Sequence, residues 1–456
     1  MDMMKSLQKL LYVAFIASAL VWTGCQRDEN GFSLETARVS DYSSEVPLEW
    51  NKLYLLADRY APGFRPGPAP RALGYMGLAA YEACISAMPD YNSLRGRYRA
   101  EGLDIPNVAN TGEVYHWPTV VNATYGYLMR RFFPHVSGEI RFRIHSLEAN
   151  FDNRAIAEIP RDVFERSKAY GQSVAEAVFN WSAQDHYGHE AFRNSRPSDY
   201  TPPSGPGMWQ PTYPDFSGGL FPYWGKVRTF AITEEDKLAL PPLPYSEELG
   251  SPFRQQAMEV YNKNTPVLSY EDQWIAEYWS DDTEGLVFSP PARFIAIPNQ
   301  VLEHRRANLE LALYTYLKVG LALNDAGVAC WYSKYHYNVE RPVSYIRRVV
   351  DLGWEPHLWF SPSFPAYPSG HATFGAAAAE VLSDIFGESY AMLDRSHEGR
   401  LEFLGIPRSF RSFREMAEEN AYSRIPLGVH FRMDSDEGVR HGYAIGRRVN
   451  QLPIKK

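Results

Sequence analysis

Residues 368–379 read Pro-Ser-Gly-His-Ala-Thr-Phe-Gly-Ala-Ala-Ala-Ala, a helix start followed by a run of small residues. Ser369 can act as the N-cap of this helix, because its side chain can accept a hydrogen bond from the first turn. The backbone N–H groups of Gly370 and His371 then point outward at the helix start, where anions bind. The stretch predicts a helix whose first turn can hold an anion, although an ordinary cap is the simpler alternative.

Helical spacing of apolar residues extends in both directions from this stretch, beginning near residue 45. The predicted helices cover about 50–60, 71–88, 115–133, 138–152, 161–184, 252–264, 269–280, 293–304, 308–333, 371–387, 411–423 and 433–448. Alternating strand patterns are scarce. The chain is therefore predicted to be all-α, built of helical bundles.

Residues 196–228 interrupt the helices with many prolines, glycines and aromatic residues. Proline excludes long regular elements there, and the aromatic residues favour an ordered loop packed on the helical body over a mobile linker. The predicted division is a signal peptide (1–24), a flexible tether (25–44), an N-terminal helical region (45–195), a Pro/Gly/aromatic-rich loop (196–250) and a catalytic helical domain (251–456). Whether the N-terminal region is a separate domain or half of one helical body stays open.

The N-terminus reads as an export signal. Lys5 and Lys9 precede the apolar stretch Leu10–Val21, which is too short to span a bilayer comfortably. The small residues directly before Cys25 resemble a bacterial lipoprotein signal, in which this cysteine is lipidated. Trp22 departs from the aliphatic residue usual at its position, so a plain signal peptide is the alternative. We expect an exported, membrane-anchored lipoprotein on the periplasmic or cell-surface face.

Composition excludes several classes of protein. The 456 residues carry a formal net charge of −8, which argues against a nucleic-acid-binding protein with a basic surface and against a nucleic-acid partner. Three cysteines are too few for a disulfide framework or a cysteine-rich zinc site. Apart from Cys25, the cysteines are Cys84 and Cys330, which we expect to be buried free thiols, although an exported protein could bridge them.

Two further groups of charged residues stand out beside the Ser-Gly-His stretch. Lys334 is followed by Arg341-Pro342, and Ser423-Arg424 is followed by His430 and Asp434. Each group alone could be ordinary surface charge. Together, three cations, backbone donors and two histidines predict a pocket for a tetrahedral oxyanion. One histidine would be the nucleophile or ligand, held by the carboxylate four residues later, and the other an acid/base.

The combined pattern Lys-x6-Arg-Pro, Pro-Ser-Gly-His and Ser-Arg-x5-His-x3-Asp spans residues 334–434. It resembles the superfamily that joins type 2 phosphatidic acid phosphatases, bacterial class A acid phosphatases and vanadium-dependent haloperoxidases. The resemblance implies that His430 is the phosphohistidine nucleophile or the vanadate ligand, His371 the acid/base and Asp434 the residue that orients the ligand histidine. It also implies an oxyanion-binding set of Lys334, Arg341, Ser369, Gly370 and Arg424.

Within this superfamily, residues 364–373 are similar to the second motif of the chloroperoxidase-type vanadium enzymes beyond the shared core. That branch places aromatic residues beside the halide, which implies this role for Trp331 and Phe364; core packing is the alternative. The similarity is strong over about 270–440, looser over 45–260 and absent before residue 45.

An upstream stretch beginning at Tyr278-Trp279 resembles the segment that supplies a carboxylate near the site's histidine and arginine. Asp282 is the expected residue, but the adjacent Asp281 could take the role, because spacing does not separate them.

The resemblance implies a haloperoxidase that oxidises halide with hydrogen peroxide at vanadate bonded to His430, with vanadate as cofactor. The alternative is a phosphatase that works through a phosphohistidine at the same residue and needs no cofactor. The expected partners are peroxide and halide, or a phosphate ester, and the membrane through the lipid on Cys25. A third hypothesis is a lipoprotein whose helical body binds a surface partner or glycan without turnover; the complete anion site argues against it.

Overall fold

Helices joined by irregular loops make up the chain, and the computed structural model describes residues 34, 36–108, 112–282, 285–358, 361–402 and 404–456. The elements are α1 (Glu45–Tyr60), α2 (Pro68–Cys84), α3 (Arg95–Tyr98), α4 (Trp117–Phe132), α5 (Gly138–Glu158), α6 (Arg161–Ala183), α7 (Pro252–Asn264), α8 (Tyr270–Tyr278), α9 (Pro290–His304), α10 (Leu309–Tyr337), α11 (Pro342–Val349), α12 (Gly370–Phe386), β1 (Met392–Asp394), β2 (Arg408–Phe410), α13 (Phe413–Tyr422), α14 (Arg424–Leu427) and α15 (Arg432–Asn450). The strands form one antiparallel hairpin. The predicted all-α class is confirmed.

Three helices form the interior of the fold. Every residue of α2 is buried, and α10 and α12 bury most of theirs. A helix that is apolar on all sides belongs inside a larger body, and here α2 packs against α10 while α12 packs against α15. Because α10, α12 and α15 carry the motif residues, the site lies at the ends of core helices.

Helices α12 and α15 approach so closely that glycine is required where they touch. A Cβ added to Gly438 would lie 2.7 Å from Ala372 Cβ and 2.8 Å from Ser369 O. A Cβ on Gly442, one turn later, would overlap Thr373 O. The missing side chains let the start of α12 lie directly beside the first turn of α15.

Several helices differ from their predicted extent, and two of them bear on the site. Helix α11 was not predicted; it begins at Pro342, whose fixed φ suits the first helical position. Helix α10 was expected to end near residue 333 but continues to Tyr337. It ends at Asn338, which adopts the left-handed conformation (φ 50°) and donates its N–H to Lys334 O. Asparagine tolerates that conformation better than most residues, so the helix stops one turn after Lys334.

The proline-rich segment is an ordered loop, as predicted. Trp209 and Trp224 are buried, and Trp209 N–H donates to Asn338 O at 2.7 Å. Further along, Leu220 N–H donates to Ser363 O at 2.9 Å. The loop is thus fixed to the end of α10 and to the segment before α12.

Cys84 and Cys330 are buried free thiols. The predicted signal peptide and Cys25 lie outside the described residues. None of the helices in the described part of the chain is long and apolar enough to cross a membrane. Val39–Lys456 form one compact unit, and the division at residues 195 and 250 stays a prediction.

Candidate anion-binding active site

The motif residues lie at helix ends that converge. Lys334 is in the last turn of α10, and Arg341 directly precedes α11. Ser369 caps α12, which begins with Gly370 and His371. Arg424 begins α14, His430 lies between α14 and α15, and Asp434 is in the first turn of α15. All of them are buried. Ser369 N–H donates to Asp434 O at 2.8 Å, which ties the start of α12 to that of α15.

His430 carries its proton on Nδ1 and a lone pair on Nε2. Asp434 Oδ2 lies 2.9 Å from Nδ1, and Arg341 Nη1 lies 3.2 Å from Nε2. Because a guanidinium only donates hydrogen bonds, Nε2 accepts and Nδ1 must be the donor. The pair does not share a helix face: His430 precedes α15, and Asp434 Oδ2 also accepts from Phe431 N–H at 3.0 Å.

Backbone carbonyl groups fix the three cations. Lys334 Nζ donates to Pro365 O at 2.9 Å and to Ala366 O at 2.8 Å. Of the three N–H groups on an ammonium, these bonds use two. The lysine is therefore oriented by neutral oxygens, which leave its charge uncompensated.

Both arginines are held in the same way. Arg341 donates to Phe364 O and Val429 O, each at 2.9 Å, and its Nη2 is buried without a hydrogen-bond partner among the described residues. Arg424 Nη2 donates to Trp279 O at 2.6 Å. The carbonyl groups set the position of each guanidinium, and Arg341 Nη2 remains to donate to a ligand.

The burial of these charges shifts their pKa values in the direction expected for an anion site. Burial lowers the pKa of Lys334, and Arg341 adds to this. Burial also lowers the pKa of Arg341 to about 10. For His430, burial and then the neighbouring Arg341 and Lys334 lower the pKa well below its usual value, so the imidazole is neutral. A bound anion would stabilise the charged form of each cation and so raise the pKa that burial lowers.

His371 and Asp282 face each other beside this cluster. His371 Nε2 is buried and has no hydrogen-bond partner within the described part of the chain; Asp282 Oδ2 lies 3.8 Å away and 3.2 Å from Arg424 Nη1. Burial, followed by the charge of Arg424, lowers the pKa of His371 to about 4. Asp281 instead pairs with Arg293 at 2.9 Å. Of the two adjacent acids, it is Asp282 that contacts the site.

Aromatic rings form one wall of a small inner chamber. Trp331, Phe364 and Phe374 line it together with His371 and His430. The Trp331 and Phe364 ring centroids are 5.0 Å apart. The chamber has a volume of about 20 Å³, so it suits small ions. The sequence-predicted aromatic pair therefore borders the anion site.

Known proteins share this arrangement of helices. Residues 314–353 and 350–454 match the family profile described as the VCPO second helical-bundle domain. Vanadium chloroperoxidase from Curvularia inaequalis is 25% identical over 502 aligned positions, which cover 87% of this chain and 80% of that protein. A solved structure described as the first bacterial vanadium-dependent iodoperoxidase is 28% identical, with a TM-score of 0.78 over 91% of this chain and 98% of the other.

Over most of its length the chain is similar to vanadium haloperoxidases. Vanadium-dependent bromoperoxidase from Ascophyllum nodosum is 32% identical over 99 residues, covering 19% of this chain and 17% of that protein. An apo-type bacterial vanadium-dependent chloroperoxidase shares the fold, with a TM-score of 0.63 at 15% identity over 87% of this chain and 97% of the other.

The residues of this site fit a vanadate ion. Vanadate is a tetrahedral oxyanion, and the site offers three buried cations against the carboxylates of Asp282 and Asp434. Arg341 Nη2 and His371 Nε2 are buried polar atoms that lack a partner among the described residues. Buried polar groups are normally satisfied, so these two atoms indicate where a ligand belongs.

All of the sequence-predicted site residues that the structure describes come together in or beside the site, and Cys25 is not among the described residues. Sequence reasoning missed the backbone groups, since the carbonyls of Trp279 and Val429 that hold the arginines carry no sequence signal. It also missed the glycines of the α12–α15 contact. Their spacing of four residues, Gly438, Gly442 and Gly446, is a signal that could have found that contact.

Proposed function

We propose that this chain is a vanadium-dependent haloperoxidase that oxidises halide with hydrogen peroxide. The observation that carries the proposal is the position of His430 Nε2. This nitrogen is unprotonated and lies 3.2 Å from Arg341 Nη1. It is surrounded by buried cations, and Arg341 Nη2 has no hydrogen-bond partner among the described residues. The site thus combines a ligand nitrogen with charge for a tetrahedral oxyanion.

Each residue has a role that follows from its contacts. His430 Nε2 would hold vanadate, with Asp434 fixing the proton on Nδ1. The oxyanion set is Lys334, Arg341, Arg424, Ser369 and the N–H of Gly370. When bound, vanadate supplies Lewis-acid activation of peroxide without changing its oxidation state. The imidazole of His371 is neutral, and its Nε2 would accept the proton that peroxide loses.

The aromatic wall supports a halide position. Lys334 Nζ lies 5.1 Å from the centroid of the Phe364 ring and 5.8 Å from that of Trp331. A halide against these ring edges would remain close to a fixed positive charge while water is largely excluded, which strengthens the interaction. We therefore assign Trp331 and Phe364 to halide contact.

The test uses purified protein prepared without phosphate and loaded with orthovanadate. Peroxide-dependent oxidation of iodide, bromide and chloride is followed with a halogen-accepting dye, with His430→Ala as the control. We expect vanadate-dependent halogenation that the substitution abolishes. If halogenation is absent and vanadate instead inhibits hydrolysis of an aryl phosphate, the site is a phosphatase that uses the same histidine.

For the N-terminus, we propose export and lipid anchoring through Cys25. The charged start, the apolar stretch of residues 10–21 and the small residues before the cysteine support this. The full chain expressed in a bacterial host should incorporate labelled palmitate and fractionate with membranes, and Cys25→Ser should remove both properties. A Cys25→Ser protein that still carries the label would show that another residue is modified.

A further inference from the structure

A second cavity lies directly outside the inner chamber. The two share Pro66, Asp282, Pro290, Pro362 and Phe364 in their walls. The outer cavity measures about 480 Å³ against about 20 Å³ for the inner chamber by the same measure. Small-molecule sites are usually about 300–1,000 Å³. An organic molecule therefore fits the outer cavity but not the inner one.

The proline-rich loop builds the outer wall and mouth of this cavity. Thr212, Tyr213 and Leu220 line it. Leu220 O accepts hydrogen bonds from Trp331 Nε1 at 3.2 Å and from Tyr335 Oη at 2.7 Å. The same carbonyl therefore positions the wall of the inner chamber and the rim of the outer one, so the two spaces are held in fixed relation.

Two neighbouring aromatic residues of this loop are exposed, and one of them, Tyr213, lines the cavity. Tyr213 is 55% exposed and Phe216 is 63% exposed, and their ring centroids are 6.3 Å apart in an edge-to-face arrangement. Phe216 adopts a left-handed backbone (φ 49°), which is strained for a bulky residue. Phe221 has a similar φ but is only 4% exposed, so core packing explains its conformation. Phe216 has no such burial; its N–H donates to Thr212 O at 2.9 Å, and its ring packs on that of Tyr213.

The cavity lining carries both signs of charge. Arg65 and Arg196 line it together with Asp215 and Asp282, and Asp282 is already paired with Arg424. Arg196 donates to Ser363 Oγ at 3.1 Å and forms no ion pair with any residue that the structure describes. Its guanidinium is available to an anionic group at the mouth.

We propose that the outer cavity binds the organic acceptor of the halogenation, an electron-rich aromatic compound such as a phenol that carries a carboxylate. Tyr213, which packs edge-to-face with Phe216, contacts its ring, and Arg196 contacts its carboxylate. This inference rests on the proposed haloperoxidase function. It adds that the oxidised halogen is transferred to a bound acceptor at the chamber's exit.

The transfer step balances. Hydrogen peroxide, halide and a proton give hypohalous acid and water, so peroxide is reduced and the halide is oxidised. A ring carbon of the phenol then attacks the halogen, forming the carbon–halogen bond as the halogen–oxygen bond breaks. The ring proton leaves with the released hydroxide as water.

Binding to vanadate-free protein tests the inference without any turnover. The probe is 4-hydroxyphenylacetate, titrated by calorimetry, with tyramine as the cationic counterpart that has the same ring. We expect saturable binding of the carboxylate probe and weaker binding of tyramine. Arg196→Gln should weaken binding of the probe by about five-fold, as expected for the loss of an exposed ion pair. Tyr213→Ser should weaken it by about five- to ten-fold.

Two exposed residues elsewhere supply matched controls. Arg161→Gln on α6 and Tyr270→Ser on α8 make the same chemical changes at sites that do not line either cavity, and they should leave binding unchanged. Binding that is absent, or equally strong in an Arg196→Gln/Tyr213→Ser double variant with an unchanged Tm, overturns the inference.

A parallel assay separates this inference from the proposed function. Wild-type protein loaded with vanadate is given peroxide and iodide without acceptor, and triiodide is measured. Triiodide formation without probe binding retains the haloperoxidase and rejects the bound acceptor. Probe binding that is lost in the two variants, without triiodide formation, retains the cavity as a binding site and rejects the halogenating function.

Discussion

Asp281 and Asp282 are neighbours in the chain, yet their carboxylates serve different partners. Asp281 lies 2.9 Å from Arg293 Nη2, and both side chains are fully buried. Asp282 lies 3.2 Å from Arg424 Nη1 and is partly open to solvent. Burial alone would raise the pKa of Asp281, but the charge of Arg293 holds it below its usual value. One residue thus anchors the segment and the next faces the anion site.

The same substitution at these two positions should therefore have different effects. Asp281→Asn leaves the buried Arg293 undercompensated and should lower the free energy of unfolding by about 3–5 kcal/mol. Asp282→Asn removes a partly exposed pair and should cost about 1 kcal/mol or less, while halide oxidation falls because Arg424 and His371 lose their carboxylate. Denaturant unfolding and vanadate-dependent turnover of both variants measure this. Equal loss of stability in the two would contradict the separation of roles.

Asp434→Asn should weaken vanadate binding without unfolding the protein. The carboxylate fixes the proton of His430 on Nδ1 through a 2.9 Å contact, and removing such a partner of a ligand histidine typically costs about 10–100-fold in affinity. Isothermal titration with orthovanadate gives the Kd. Asp436→Asn, on the exposed side of the same helix, is the control and should bind as the wild type does.

Gly442→Ala should destabilise the protein through the contact between α12 and α15. The new Cβ would overlap Thr373 O, and forcing extra volume into a packed core costs about 1–3 kcal/mol. The matched control is Gly96→Ala in α3, where nothing lies within 4 Å of an added Cβ. Chemical denaturation of both variants decides the matter; a Gly442→Ala protein as stable as its control would show that the helices can move apart freely.

Acid should destabilise the vanadate-free protein through His371. Its folded pKa is about 4, below the roughly 6.5 of an unfolded histidine. Between these values the unfolded chain binds more protons, so stability falls as the pH drops from about 6.5 to 4 and is retained above that window. The His371→Gln variant should show a shallower fall in denaturant titrations over this range. A slope identical to that of the wild type would mean that His371 is not the group responsible.

Much of this fold and site could be predicted because the responsible signals are local. Ser369 caps a helix by its own hydrogen bond, and the helical spacing of apolar residues gave most helices to within a few residues. The spacing of Lys334, Arg341, Arg424 and His430 identified the charged cluster before any geometry was known.

The parts that escaped prediction depend on tertiary contacts. No local pattern says that α10 continues to Tyr337, because its end is set by the conformation of Asn338 and by the loop residue Trp209 bonded to it. Asp281 and Asp282 are adjacent, so their spacing from the motif does not decide between them; only the position of Arg293 on another helix does. The exposed ring of Phe216 is likewise invisible in sequence, where it resembles any core aromatic.

Lys334 and Arg341 are held by the carbonyl groups of residues 365, 366 and 429, so their charges need a bound oxyanion. The oxyanion would therefore raise the stability of the folded protein as well as take part in its chemistry. A ligand that binds only the native chain adds stability by mass action, about 2.7 kcal/mol at a hundredfold excess over Kd. A chain made where vanadium is scarce would hold phosphate or remain charged and weakened, and proteases would remove it sooner. The metal content of the surroundings would then set how much of this protein persists, before it sets how fast the protein works.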